Sequence, residues 1–213
     1  MSSETTRQAL VDAALRAFAE DGVQRASLLE ITRQAGQRNR GAVHYHFGSR
    51  EGMLVAVLAE QAGLLREVFD DLLARIAARP GELEPLVDGF VEPAVRLAAE
   101  GWKGQCWLRI AAELLATHSE TSVPRGVYDV IASTRAYEVA DALDRHLVAL
   151  PPAVRELRTV LTIGFAVRAV AERARGQVES PQMEWLDDET FVADLKGICT
   201  AMLRVAPPPG ATR

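Results

Sequence analysis

The chain has 213 residues, 48% hydrophobic and 25% charged, with a net charge of −5. It is long enough to bury a sizeable core, ordinary in composition for a globular protein, and too acidic to coat nucleic acid indiscriminately. No apolar run reaches the roughly 20 residues of a membrane span, and the opening MSSETTRQAL lacks the apolar core of a secretory signal, so the expected location is the cytoplasm. Cys106 and Cys199 form neither a zinc-type spacing nor a disulfide framework, and neither a metal nor a cofactor is expected.

Ala9, Leu10, Ala13, Ala14, Ala17 and Phe18 recur at helical spacing and predict a first helix ending near Asp21-Gly22. Ser27-Leu-Leu-Glu30 then has the form of a capping box, with Ser27 accepting from the Glu30 amide and Glu30 reaching back. The short second helix that follows turns Leu28, Ile31 and Ala35 inward and stops at Gly36. Asn39 is a cap for a third helix running toward Phe47, and Ser49 caps a fourth beginning at Arg50. From Met53 to about Arg79 the pattern predicts one long helix, ended by Pro80-Gly81. Further helices are predicted at about Leu83 to Ala99, kinked at Pro93, then Gly104 to His118, Pro124 to Val148, Pro152 to Arg175 and Asp187 to Val205. There is no strand alternation and no internal repeat, so the fold class is all-α. The expected division is a three-helix head over residues 1–50, a larger helical domain over 51–206, and a disordered tail over 207–213.

The charge average hides a local excess. Through Arg50, seven arginines face five carboxylates, and three of those arginines lie between Arg38 and Arg50, where no Asp or Glu occurs. The second helix, the turn at Gly36 and the third helix have the spacing of a helix-turn-helix, whose second helix enters the major groove.

Phe18-Ala-Glu-Asp-Gly22, Ser27-Leu-Leu-Glu-Ile31, Ala35-Gly36, Gly41-Ala-Val-His-Tyr-His-Phe47 and Ser49-Arg50-Glu51 stand in one frame. Over about Arg7 to Leu58 the chain resembles the TetR family of transcriptional regulators. It departs from the family pattern at His44, where a Tyr is usual, at Arg50 (Lys) and at Thr32 (Ala), and the turn after Gly36 is one residue longer. The resemblance implies that the exposed side of the third helix touches double-stranded operator DNA. The candidate contacts are Ser27, Arg38, Asn39, Arg40, Gly41, Ala42, His44, Tyr45, His46 and Arg50. Arg40 and His44 share a face, Gly41 and Ala42 allow close backbone approach, and Val43 and Phe47 point into the head. Tyr45 fits either a phosphate contact or a cap on the head's core. His44 and His46, two apart on a helix, face nearly opposite ways and do not make a metal pair.

The family's twofold dimer implies a homodimer interface, for which the last two long helices offer Val160, Ile163, Gly164, Val167, Val170 and Ala171 with Phe191, Leu195, Ile198 and Met202. The middle region is the implied sensor, and Trp107, Arg109, Leu114, His118, Tyr128, Tyr137 and Phe165 are candidate ligand contacts; aromatic residues at such spacing equally suit simple core. The resulting expectation is a repressor that binds a palindromic operator and is released by a small apolar or amphipathic effector. The alternatives are a helical enzyme acting in a C-terminal cavity, for which the sequence offers no phosphate loop, metal spacing or nucleophile motif, and a ligand-independent DNA-binding scaffold.

Overall fold

A computed structural model describes residues 3–39, 41–116 and 124–207. The described residues form eleven helices and no strand: α1 (Ser3–Asp21), α2 (Leu28–Gln34), α3 (Ala42–Phe47), α4 (Arg50–Ala59), α5 (Ala62–Ala78), α6 (Glu84–Ala99), α7 (Gly101–Ala116), α8 (Arg125–Ser133), α9 (Ala136–His146), α10 (Pro152–Glu179) and α11 (Asp188–Arg204). None is long and apolar enough to cross a membrane.

Helices α1 to α4 close around Leu10, Ala14, Phe18, Ile31, Val43, Met53 and Val57, all buried. Helix α1 ends at Gly22, whose φ of +89° turns the chain toward α2. Ser27 caps α2 by accepting from the Glu30 amide at 3.3 Å. The expected return contact is not made, because the Glu30 carboxylate is drawn to Arg33 at 2.7 and 2.9 Å and to Gln34 at 3.0 Å. Asn39 does not cap α3 from its own cap position. That position is Gly41, and the Asn39 Oδ1 accepts from the Gly41 amide at 2.9 Å one step earlier. Ser49 caps α4 by accepting from Gly52 at 3.1 Å. A β-carbon on Gly52 would lie 2.0 Å from the Phe47 carbonyl oxygen, so α3 and α4 meet at a distance only glycine permits.

The head's apolar cluster does not stop at the head, since Ile110 of α7 and Val127 of α8 belong to it. A second cluster, with Leu65, Phe69, Phe90, Val91, Leu97, Leu108, Leu143, Leu195, Cys199 and Leu203, forms the core of the body. Within it α10 packs on α6 and α7, and α11 packs on α6 and α10.

Two helices expected to be continuous are broken, each time by a hydrogen bond that periodicity does not carry. The helix expected from Met53 to Arg79 divides at Glu60-Gln61. There the Leu58 carbonyl accepts from the Trp107 indole Nε1 at 3.1 Å. Lys103 reaches Glu60 at 3.7 Å. The helix expected from Pro124 to Val148 divides at Thr134-Arg135. The Thr134 hydroxyl donates to the Ile131 carbonyl at 2.7 Å and accepts from the Ala136 amide at 3.3 Å, competing with the helical ladder. Arg135 follows in the left-handed region at φ +71°, its guanidinium held by Glu138 at 2.6 Å and by Asp70 of α5 at 2.5 Å. Elsewhere α6 runs through Pro93 and α10 continues to Glu179, past the expected Arg175.

Candidate nucleic-acid interface

The six-residue α3 is anchored by Val43, which is buried, and by Phe47, half-buried with the Arg7 guanidinium 5.5 Å from its ring centre. With that side turned inward, His44 and Tyr45 face solvent, Tyr45 at 81% exposure. His46 is half-buried and meets the Tyr45 ring edge to face at 5.0 Å. Arg38, Asn39 and Gly41 are exposed on the turn leading into α3, and Ser27 is exposed at the start of α2. Arg40 lies outside the described residues. Ser27, Arg38, Asn39, Gly41, His44 and Tyr45 are thus each exposed on the head. Arg33 and Leu29, both exposed on α2, were missing from the candidates, although the inward stripe of Leu28, Ile31 and Ala35 already leaves both on the outer side.

Two candidates are placed differently from expectation. Ala42 is 5% exposed, because on so short a helix it sits beside Val43 on the inner side. Arg50 does not extend outward. Its Nη1 donates to the Val23 carbonyl at 2.8 Å and ties the start of α4 to the α1–α2 turn.

A cavity of about 290 Å³ lies between α5, α6, α7, α8, α9 and α10, with Leu58 of α4 also in its wall. Trp107, Leu114 and Tyr137 line it, together with Phe69, Phe90 and Leu97, which periodicity placed only in the general core. Arg109 and Phe165 do not line it. Arg109 sits on the opposite side of α7, near Cys106, and Phe165 is on the outward side of α10. Tyr128 stacks on Tyr137 at 4.8 Å from outside, 52% exposed. His118 lies outside the described residues.

The residues expected at a dimer face separate into three groups. Ile163 and Val167 line the cavity. Val170, Ala171 and Leu195 are buried within the chain. Phe191 is half-buried beneath the Arg173 guanidinium at 4.4 Å, and Val160, Gly164 and Met202 are half-buried. Ile198 is exposed, and on α10 the exposed apolar line is Leu157, Leu161 and Phe165, displaced by one residue, about 100° around the helix, from Val160 and Gly164 of the stripe expected. An amphipathic helix with apolar residues on two sides gives no sequence signal for which side faces the chain's own core.

Residues 10–57 match the model of the bacterial regulatory proteins of the tetR family, and that segment holds the capped α2, the turn at Gly36 and α3. The head is a tetR-family domain. A curated relative, the HTH-type transcriptional regulator SrpR of Pseudomonas putida, is 48% identical over 59 residues, which make up 28% of this chain and 27% of that protein. The chain therefore matches about a quarter of that relative's length. Beyond that segment the likeness is one of fold. A putative tetR family transcription regulator from Shewanella sp. PV-4 superposes with a TM-score of 0.53 at 21% identity, covering 93% of this chain and 95% of that one. AibR, solved in complex with isovaleryl coenzyme A and operator DNA, superposes with a TM-score of 0.52 at 16% identity, covering 91% and 97%.

Proposed function

We propose that the chain is a homodimeric transcriptional repressor that reads a palindromic operator through its head and is released when a small apolar molecule fills the body cavity. The division is a head over residues 1–50 and a sensing and dimerisation body over 51–206. The observation that carries the sensing half is the cavity. Its polar side chains are few, and two of them are already engaged: the Trp107 Nε1 donates to Leu58 and the Thr134 hydroxyl to Ile131. The described lining residues include no Asp, Glu, Lys, Arg or His. An ionised group placed there would lose its hydration without a partner, so the effector is neutral and largely apolar.

On the DNA side, Arg38, Asn39 and Ser27 supply phosphate contacts that set register, and His44 and Tyr45 lie where base edges come within reach. One head makes few contacts, so affinity depends on a second copy reaching the neighbouring half-site about 34 Å away. Leu157, Leu161, Phe165 and Ile198 are the apolar surface for that pairing.

Selection of bound sequences from a random duplex pool, at stated salt and with stoichiometry from light scattering, tests this reading. An enriched palindrome bound by dimers supports it, and enrichment no better than nonspecific binding refutes it. With the selected duplex, Arg38→Ala is expected to weaken binding and reduce its salt dependence by about one phosphate contact.

A further inference from the structure

Helix α7 is a wall shared by the cavity and the head. Trp107, Leu108, Ala111, Leu114 and Leu115 line the cavity. At about 100° per residue, Trp102, Cys106, Arg109 and Glu113 fall on the opposite side. The head docks on that opposite side. Arg16 lies over the Trp102 ring at 3.8 Å, and Lys103 pairs with Asp12 at 2.7 Å. Both carboxylate oxygens of Glu113 accept from the Val23 amide, at 3.2 and 3.1 Å.

Val23 is buried in the turn between α1 and α2, immediately after Gly22 with its positive φ. The same residue is held again from α4, since its carbonyl accepts from Arg50 at 2.8 Å. The N–H of Val23 is thus fixed by the cavity helix and its C=O by the helix that follows α3. The segment so fixed leads directly into the capped start of α2.

We propose that Glu113 is the positioning residue through which occupancy of the cavity sets the placement of the reading helices; the inference rests on the sensing function proposed above. The lysine and arginine contacts between α7 and the head are made by long, partly exposed side chains that follow a small displacement. The Glu113 contact is directional and charge-assisted, and a hydrogen bond weakens steeply when its geometry is lost. A β-carbon on Gly22 would lie 3.4 Å from both Glu113 oxygens, ordinary contact distance, so the carboxylate sits against the Gly22-Val23 turn. A molecule wedged against Ala111 and Leu114 displaces α7 as a stiff rod, and Glu113, on its far side, carries the displacement to Val23. Arg50 then holds a turn whose other tether has shifted, and α2 and α3 move relative to α4.

The test uses the full chain, the selected duplex and N-phenyl-1-naphthylamine, a neutral apolar dye that fluoresces on leaving water. In the wild type, saturating dye is expected to weaken duplex binding by a factor within the roughly 5–150-fold usual for coupled sites. Glu113→Ala is expected to bind the dye as the wild type does but to lose most of that factor. Glu113→Gln, which retains an acceptor oxygen for the Val23 amide, is expected to keep most of it. Hydrogen exchange over residues 22–27 should quicken with dye in the wild type and in Glu113→Gln, and in Glu113→Ala should be quick with or without it. If Glu113→Ala responds to dye like the wild type, or dye binds the wild type without changing duplex affinity or exchange, the relay is overturned while the cavity stands as a site. If no dye binds, the sensing function falls and the relay with it; if no duplex is selected, the regulator reading falls at its first step.

Discussion

The indole nitrogen of Trp107 donates to the main-chain carbonyl of Leu58 at 3.1 Å, joining the cavity wall to the last turn of α4. The bond replaces the one that Leu58 would make within a continuous helix. Trp107→Phe retains an apolar ring and removes the donor. It is expected to cost about 1 kcal/mol, the usual net value of one such bond, read as a lower urea midpoint at unchanged slope. An unchanged midpoint would show that the α4–α5 break does not depend on this contact.

A second prediction concerns charge within the body. Asp88, almost fully buried on α6, pairs with Lys196 of α11 at 2.7 Å and Arg75 of α5 at 3.5 Å, and Glu92 pairs with the same two cations. Burial pushes the Glu92 carboxyl up, but the hydrogen bonds from Arg75 and Lys196 outweigh it and hold it below its ordinary value. Burial likewise opposes the Lys196 charge, and its bonds to Asp88 and Glu92 raise it above its ordinary value. A depressed carboxylate stabilises the fold above its unfolded pKa, near ~4.3, and loses that contribution as pH falls through the lower folded value. A raised lysine stabilises below about 10.4 and loses its contribution as pH rises through the higher folded value. Lys196→Met is therefore expected to cost about 2 kcal/mol at neutral pH. Urea titrations should show the gap to wild type holding from about pH 5 to pH 10 and narrowing below about pH 4. A gap that widens in acid contradicts the assignment.

The cysteines give a third. Cys199 is fully buried, and burial pushes its thiol up to about 11. Cys106 is half-buried, its thiol also raised by burial but with Arg109 acting in the opposite direction. With an aromatic disulfide reagent at pH 8, Cys106 should react first, and Cys199 only at the rate at which the protein opens. Prompt reaction of both thiols in the native protein would contradict the packing of α11 on α6.

The fourth concerns assembly. Leu161 stands between Leu157 and Phe165 on the exposed side of α10, and Leu161→Arg sets a charge in the middle of that line. The mass from light scattering is expected to halve, with loss of tight binding to the selected palindrome and retention of weak binding to half-sites. A variant that remains dimeric would move the interface elsewhere.

The head was the most legible part of the chain because its signals are local. Ser27, Gly36, Ser49 and the inward Val43 act within one or two turns, and each is found at the start, turn or buried side that its chemistry predicts. The position of Arg50 was not legible, since its partner is a carbonyl 27 residues away. The body was legible as a set of helices but not as a set of faces. Ile163 and Phe165 are two residues apart on α10, yet one lines the cavity and the other faces out. Periodicity marks both sides as apolar and does not rank them. Of the two missed breaks, the one at Thr134 had a signal in Ser133-Thr134, whose hydroxyls can take ladder positions. The one at Glu60 arises from a tryptophan 49 residues away.

The cavity has a consequence for the folded state itself. The cavity of about 290 Å³ is partly open, and the apolar atoms that line it lack on that side the packing partners a filled core supplies. On the sensing function proposed above, a ligand is expected to add contacts at the place where the body lacks them. A molecule that fits supplies missing core as well as a signal, and its arrival should register as a rise in melting temperature before any DNA is added. Thermal shift can thus rank candidate effectors while the operator sequence is still unknown.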